Sequence, residues 1–387
     1  MGERLVRNQK VRGSIPLGST KDFFDKGKGF GPDANCLFSM STKKPVTIIT
    51  GFLGSGKTSV LNHLLMNENF SDTAVIINEF GEVGIDHLLV DTSFEEDEIV
   101  VMQSGCICCT IRGDLVDTLA DLEARNKNGD LPDFSRVLVE TTGLADPAPI
   151  LQTVMSEPLL VDKYCLSGVV ATVDAFNGRG TFETYSEAVK QAAVSDRLLL
   201  TKTDITDKKT VANMERYLAL LNPNAPLEHV VNGSVSPELI FGLGLYKVGG
   251  KSDSVTKWLS EAHETIHEHD HHNHSHPNED QKLNRHTSDI STFCLKRNDP
   301  LPWEGVKAWL ESIVSLCGEN LLRVKGVMNI AEYDTPVVIH GVQHVFHPPI
   351  RLNDWPDKDH STRIVFITRN ISEKGLDKSL TTFCLKE

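Results

Sequence analysis

The octapeptide Gly51-Phe52-Leu53-Gly54-Ser55-Gly56-Lys57-Thr58 limits what this chain can fold into more than any other feature. It fits G-x-x-x-x-G-K-[ST] at every fixed position. The aliphatic run Val46–Thr50 precedes it, and an apolar stripe of Val60, Leu61, Leu64 and Leu65 follows. In such a strand–turn–helix, glycines let backbone N–H groups turn inward around phosphate oxygens, and the helix presents its positive end to the same anion. The candidate nucleotide-binding positions are Gly51, Gly54, Ser55, Gly56, Lys57, Thr58 and Ser59. Lys57 is expected to bridge the terminal phosphates, and Thr58 to hold Mg²⁺ through its hydroxyl. The competing reading is a chance glycine-rich turn, and the flanking strand and helix argue against it.

The rest of the chain repeats the strand–loop–helix rhythm. Ala74–Asn78, Ile99–Met102, Arg136–Glu140, Gly168–Val173 and Arg197–Leu200 are short aliphatic runs. They suit strands buried on both faces of a mainly parallel sheet. Leu115, Leu119 and Leu122 form one helical stripe, and Val211, Met214, Leu218 and Leu221 another. Asp146-Pro147 and Ser236-Pro237 read as helix starts. At 387 residues the chain is too long for one ordinary core. The expected class is α/β: a mainly parallel-sheet P-loop domain over 44–262, with a smaller C-terminal α+β domain over 287–387. In the latter, Ile290–Leu295, Leu321–Ile330, Val337–His340, Val342–Phe346 and Arg363–Thr368 read as strands and Trp303–Cys317 as a helix. Between the two domains, residues 263–286 carry eight histidines among acids and Asn, the pattern of a flexible linker. Residues 1–41 show no apolar period and read as a disordered leader. Met40 is the proposed true start, which makes the leader an upstream extension. A basic transit peptide is the alternative, and Asp22 and Asp25 count against it.

Two further motifs bear on the nucleotide. Glu140-Thr141-Thr142-Gly143 ends an aliphatic strand. A carboxylate there can reach the Mg²⁺ shell, and Gly143 can offer its N–H to the terminal phosphate and move when that phosphate leaves. The alternative for Glu140 is a strand-end carboxylate capping the helix at Asp146. Thr201-Lys202-Thr203-Asp204 follows the strand Arg197–Leu200. Asp204 can accept from the ring N–H and exocyclic amine of guanine, a donor pair that adenine lacks, and Lys202 can lay its alkyl stem along the base. The usual GTPase tetrad begins with Asn; this one begins with Thr201. A polar strand-end turn is the competing reading.

The formal net charge of -14 argues against a general nucleic-acid binder. No apolar run approaches the roughly 18 residues needed to span a bilayer, and no early segment has the apolar middle of a secretory signal. These features point to the cytoplasm. Three of the eight cysteines, Cys106, Cys108 and Cys109, fall within four residues, and in a reducing compartment such a cluster reads as a metal or redox site. Thiolates suit Zn²⁺, Cu(I) or Co²⁺. Three of them leave a fourth position open, which fits transfer better than a closed structural site. The alternative is a set of buried, inert thiols, which placement on a predicted loop disfavours. Glu79 and Glu82, in Asn78–Asp86, are candidates for Mg²⁺ contact or the fourth metal ligand, with a plain polar turn standing level. The histidines of 263–286 suit metal collection at low affinity, or a plain spacer.

Taken together and in this order, Gly51–Thr58, Asn78–Asp86, the Cys-x-Cys-Cys at 106–109, Glu140–Gly143 and Thr201–Asp204 resemble the CobW family of GTP-dependent metallochaperones. Leu321–Ile330 and the run His360–Ile367 resemble that family's C-terminal domain. The resemblance spans about Lys44 to about Asn370. It implies a GTPase domain followed by an α+β domain, with GTP and Mg²⁺ on the loop and a transition metal on Cys106, Cys108 and Cys109. Zn²⁺ is favoured because thiolates and imidazoles both suit it, with Co²⁺ as the alternative. It further implies that GTP hydrolysis gates hand-over of the metal to a client metalloprotein. A nucleotide- or metal-dependent dimer is also expected. The sequence shows no obvious Arg finger or water-positioning Gln, so slow intrinsic turnover is expected, raised by metal or client. The rival classes are a metal-storage or sensing protein without turnover, and a P-loop small-molecule kinase, which usually carries an Arg-rich lid that is not found here.

Overall fold

The structure, a computed structural model, describes residues 43–78, 99–101, 107–111, 115–241, 243, 289–347 and 349–384. The leader, Glu79, Glu82, Cys106 and the histidine-rich segment lie outside the described residues.

The first sheet is built around β1 (Lys44–Gly51), whose residues from Val46 onward are all buried. It lies between β5 (Arg136–Glu140) and β6 (Tyr164–Asp174), parallel to both. β2 (Thr73–Asn78) and β4 (Ile107–Ile111) extend the sheet on one side, and β7 (Arg197–Thr201) and β8 (Leu227–Val230) on the other, all parallel. The short β3 (Ile99–Val101) closes the edge antiparallel to β4. The spatial order is β3-β4-β2-β5-β1-β6-β7-β8, the mainly parallel arrangement expected from the aliphatic runs. Consecutive strand residues face opposite sides, and both sides are covered. Ile49, Val75, Leu138, Val170 and Leu199 pack with Val60, Leu61 and Leu64 of α1 (Lys57–Leu65). Ile48, Ile76, Val139, Ala171 and Leu200 face α2 (Leu115–Asn128), α3 (Ala148–Ser156), α4 (Gly178–Thr184), α5 (Ser186–Val194) and α6 (Lys208–Leu221).

After the short α7 (Pro237–Ile240), the chain resumes in a second, antiparallel sheet. Its order is β12-β11-β10-β14-β9, with β13 (Ile350–Arg351) on β11. The ranges are β9 (Ile290–Arg297), β10 (Leu321–Met328), β11 (Val337–Val342), β12 (Val345–Phe346) and β14 (Thr362–Arg369). One face packs Val324, Ile339, Ile364 and Phe366 against α8 (Trp303–Cys317) and α9 (Glu373–Cys384). The other face sends Val342 and Ile367 into the core of the first unit, joined by Leu322 where the β10 register shifts. The expected strands Val337–His340 and Val342–Phe346 are in fact one strand through Gly341 and a hairpin turn at Gln343, whose φ is 51°. Gly341 pairs with Phe346, and a Cβ there would stand 2.6 Å from that ring. The glycine makes room for the ring; it does not break the strand. Among the described residues no helix is long and apolar enough to cross a membrane.

Candidate functional site

Parallel strands deliver their C-terminal ends to one edge, where ligands of open α/β sheets bind. Here β1 delivers Gly51, β5 Glu140, β6 Thr172 to Asp174 and β7 Thr201. The groups singled out for the nucleotide, spread over some 150 residues of sequence, therefore meet at one edge.

Gly51, Gly54 and Gly56 have φ of 141°, 69° and 94°, conformations that side-chain-bearing residues rarely take. They curl the loop into α1. No acidic residue sits in the first turn of α1 and no side chain caps it, so its positive end serves the loop. Lys57 is buried, with Nζ 2.8 Å from the Gly51 carbonyl and 3.2 Å from that of Phe52. Thr58 Oγ1 lies 3.4 Å from Glu140 Oε1. This pair of hard oxygen donors at the mouth of the loop fits an oxygen-liking divalent ion such as Mg²⁺. Thr58 and its neighbour Ser59 are exposed. Ser55 is buried; its hydroxyl lies 2.6 Å from that of Thr172, and its backbone N–H donates to the Phe52 carbonyl at 3.1 Å, so it closes the turn of the loop.

Gly143 is pressed against the loop: a Cβ there would stand 2.7 Å from Leu53 N and 2.8 Å from its Cα. The same segment is tied to α5. Gln191 Nε2 donates to the carbonyls of Gly143 (3.3 Å) and Ala145 (2.9 Å), and Lys190 bridges to Asp146 (2.6 Å). Gly143→Ala should push the loop off its position and lower any nucleotide turnover at this edge by about a hundredfold, the scale of a one-ångström misplacement. A turnover assay paired with a thermal melt checks this, and unaltered turnover in a folded variant would contradict it.

Thr201 has a job of its own. Its Oγ1 lies 2.7 Å from the Ser55 carbonyl and 3.1 Å from that of Val173, so it braces the phosphate loop against β6. Lys202 follows with a φ of 58° and sets its Nζ 2.7 Å from Asp174 Oδ2. The Thr206 hydroxyl donates to the Lys202 carbonyl at 2.6 Å. Asp204 is exposed on the same loop. Two supports escaped sequence reasoning, Thr172 and Asp174. The signal available was their position at the end of the strand beside β1. Gly233, φ 74°, in the loop after β8, also abuts α1, since a Cβ there would stand 3.0 Å from Val60 N.

The cysteine motif differs from expectation in its local structure. Cys108 and Cys109 occupy strand β4, not a loop. Cys108 pairs with Val75 on one side and Val100 on the other, and Cys109 with Ile76 and Ile99. The alternation of Ile107, Cys109 and Ile111 satisfies a strand period that the clustered thiols conceal. Cys109 shares a rung with Ile76, Val139 and Ile48, and Thr110 shares the next with Ile77, Glu140 and Ile49. Three interstrand steps, about 14 Å, thus separate the cysteine strand from the strand that carries the loop. Among the described residues no three His, Cys, Asp or Glu side chains stand ready to hold a metal. Cys165, Cys294, Cys317 and Cys384 are free thiols. Burial pushes all four up from the ordinary value, Cys294 and Cys384 to about 11, which keeps them protonated and poor ligands at neutral pH.

Residues 45–228 match the family model described as CobW/HypB/UreG, nucleotide-binding domain, and residues 290–384 that of the cobalamin synthesis protein cobW C-terminal domain. The zinc chaperone YjiA of Escherichia coli (strain K12) is 31% identical over 336 residues, 86% of this chain and 96% of that protein. The zinc-regulated GTPase metalloprotein activator 1 of Schizosaccharomyces pombe is 29% identical over 347 residues, covering 84% and 82%. The crystal structure of zinc-bound YjiA GTPase from E. coli superposes with a TM-score of 0.67 at 28% identity, covering 88% of this chain and 99% of that one.

Proposed function

The chain belongs to the CobW/HypB/UreG family, and on that premise we propose that it is a GTP-hydrolysing metallochaperone that carries zinc to a client metalloprotein. The observation that supports this most is the convergence of the loop, the Thr58–Glu140 pair and the Thr201–Lys202 turn on one sheet edge. The P-loop unit occupies 44–262, the histidine-rich linker 263–286 and the C-terminal unit 287–387.

Gly51, Gly54, Ser55, Gly56 and Ser59 shape the phosphate cradle. Lys57 and the loop N–H groups neutralise charge as the bond from the γ-phosphorus to its bridging oxygen breaks and a water oxygen bonds in its place, yielding GDP and phosphate. Thr58 and Glu140 hold Mg²⁺, which when bound offsets charge on the phosphate oxygens. The Gly143 N–H meets the terminal phosphate and reports its loss. Lys202 and Asp204 select guanine. Gln191 Nε2 is engaged by two backbone carbonyls, and its buried Oε1 has no hydrogen-bond partner among the described residues.

Cys106, Cys108 and Cys109 carry the zinc cargo, with Glu82 as the fourth ligand. β4 binds Cys108 and Cys109 into the same sheet as Glu140. Coupling between the sites must be reciprocal, so zinc changes nucleotide affinity by the factor by which nucleotide changes zinc affinity. The test is GTP turnover with and without one equivalent of Zn²⁺, in wild type and in Cys106→Ala/Cys108→Ala/Cys109→Ala. A zinc effect of about fivefold or more on turnover or affinity, confined to wild type, is expected. Identical behaviour of both proteins would remove zinc coupling, and a Co²⁺ titration would then test the alternative cargo.

A further inference from the structure

We propose that Asp174 is a positioning residue for guanine recognition: it fixes the Lys202 ammonium and so holds the turn carrying Lys202 and Asp204 in a base-ready form. This rests on the reading of the edge as a guanine-nucleotide site.

Asp174 ends β6, and its two carboxylate oxygens do different work. Oδ1 accepts the backbone N–H groups of Phe176 (2.7 Å) and Asn177 (3.0 Å), closing a local turn. An asparagine could do that equally well. Oδ2 accepts Asn177 Nδ2 at 3.2 Å and Lys202 Nζ at 2.7 Å, 28 residues away in sequence. Only the second oxygen's task calls for a negative charge. Burial by itself would raise the Asp174 carboxyl, but the Lys202 ammonium and the three donors around it hold it below its ordinary value, so the charge is present at neutral pH.

Lys202 needs such an anchor. Its side chain is one-third exposed, and a lysine so placed would ordinarily sample many rotamers. Its backbone sits in the left-handed region at φ 58°, which the surrounding structure must enforce for a residue with a side chain. Enforcement comes from three directions. The Thr206 hydroxyl holds the Lys202 carbonyl, the Ala175 N–H holds the Thr201 carbonyl at 3.0 Å, and Asp174 holds the ammonium. With both ends of Lys202 fixed, its alkyl stem is a rigid flat surface for a purine, and Asp204 is presented two residues further on. The phosphate loop is braced separately, through Thr201, Thr172 and Ser55. Base recognition and phosphate recognition can therefore be dissected by mutation.

The experiment measures GDP affinity, GTP turnover and competition by inorganic tripolyphosphate for wild type, Asp174→Asn, Lys202→Met and the double variant, with a thermal melt of each. Asp174→Asn is expected to weaken GDP binding and raise the KM for GTP by about tenfold, the scale of a lost charge-assisted hydrogen bond, with a smaller change in kcat. Tripolyphosphate competition should stay at the wild-type level, and the double variant should be no worse than the weaker single one. Equal weakening of tripolyphosphate and GDP would make Asp174 a support of the phosphate loop and overturn the proposal, as would fully additive losses. Should Asp174→Asn fail to fold, Lys202→Met with undiminished GDP affinity would overturn it as well. A wild type that binds ADP as tightly as GDP would bring down the guanine reading, and this proposal with it.

Discussion

Lys57→Ala should lower GTP turnover by about a thousandfold, at the upper end of what one lost electrostatic contact costs a transition state. Lys57 Nζ lies within the ring of the loop, near the Gly51 and Phe52 carbonyls. It is the loop's side-chain cation, and charge on the bridging and terminal oxygens grows as the phosphoryl group departs. The loss should therefore fall on kcat as well as on kcat/KM. Lys57→Arg should not rescue it, since a planar fork cannot replace a compact ammonium inside a curled loop. Folding should be little affected, because removing a buried ammonium also removes its desolvation penalty. A stopped assay under saturating GTP and Mg²⁺, with a melting curve as control, measures both. Near-wild-type turnover in Lys57→Ala would separate the loop from the chemistry altogether.

What the sequence made legible follows from where each signal lies. The loop could be read because its chemistry depends on residue types at fixed local spacing, and the strands of the first sheet because burial on both faces leaves continuous aliphatic runs. β8 escaped because an edge strand, Leu227-Glu228-His229-Val230, is only partly buried and has no such run. β4 was concealed by its own cysteines, which read as ligands before they read as strand positions. α9 carries its stripe on Leu376, Leu380 and Cys384 alone, too sparse to stand out among polar neighbours. Thr201 shows the limit in the site itself. Its departure from the usual Asn was visible, but its bond to the Ser55 carbonyl joins residues 146 positions apart and is fixed by the sheet, not by local pattern. Asp174 and Asp196 were silent for the same reason, since each acts through partners that only tertiary structure brings near.

Asp196 is the position where a single change should cost the most stability. It lies between α5 and β7, with both oxygens engaged. Oδ2 accepts the Val169 N–H at 2.9 Å, while Oδ1 takes Arg323 and Lys325 from β10 of the second sheet. All three charged side chains are buried. One carboxylate thus joins the two units, and its loss would leave two buried cations facing each other. Asp196→Asn is expected to destabilise the protein by about 4 kcal/mol, the scale of breaking a buried ion pair from one side. The two sheets should then unfold in separate calorimetric transitions. The same cluster predicts acid sensitivity. Burial, reinforced by the Arg323 guanidinium, pushes His347 down to about 4, and burial with Arg323 also drives neighbouring His340 well below its ordinary value. Both rings are therefore neutral in the native protein, while the unfolded chain binds protons near pH 6.5. Between pH 6.5 and about 4 the unfolded state holds more protons, so stability falls as pH falls, by roughly 3 kcal/mol for His347 alone. Asp196 adds to this only further down. Burial would raise its carboxyl, but Arg323 and Lys325 hold it below the usual range, so its contribution is lost only as pH drops through the native value. Denaturation midpoints measured from pH 8 to pH 4 should stay level to about 7 and then decline, and His347→Gln should flatten the upper part of that decline. A wild-type profile level down to pH 5 would mean that these imidazoles are not held neutral between the two sheets.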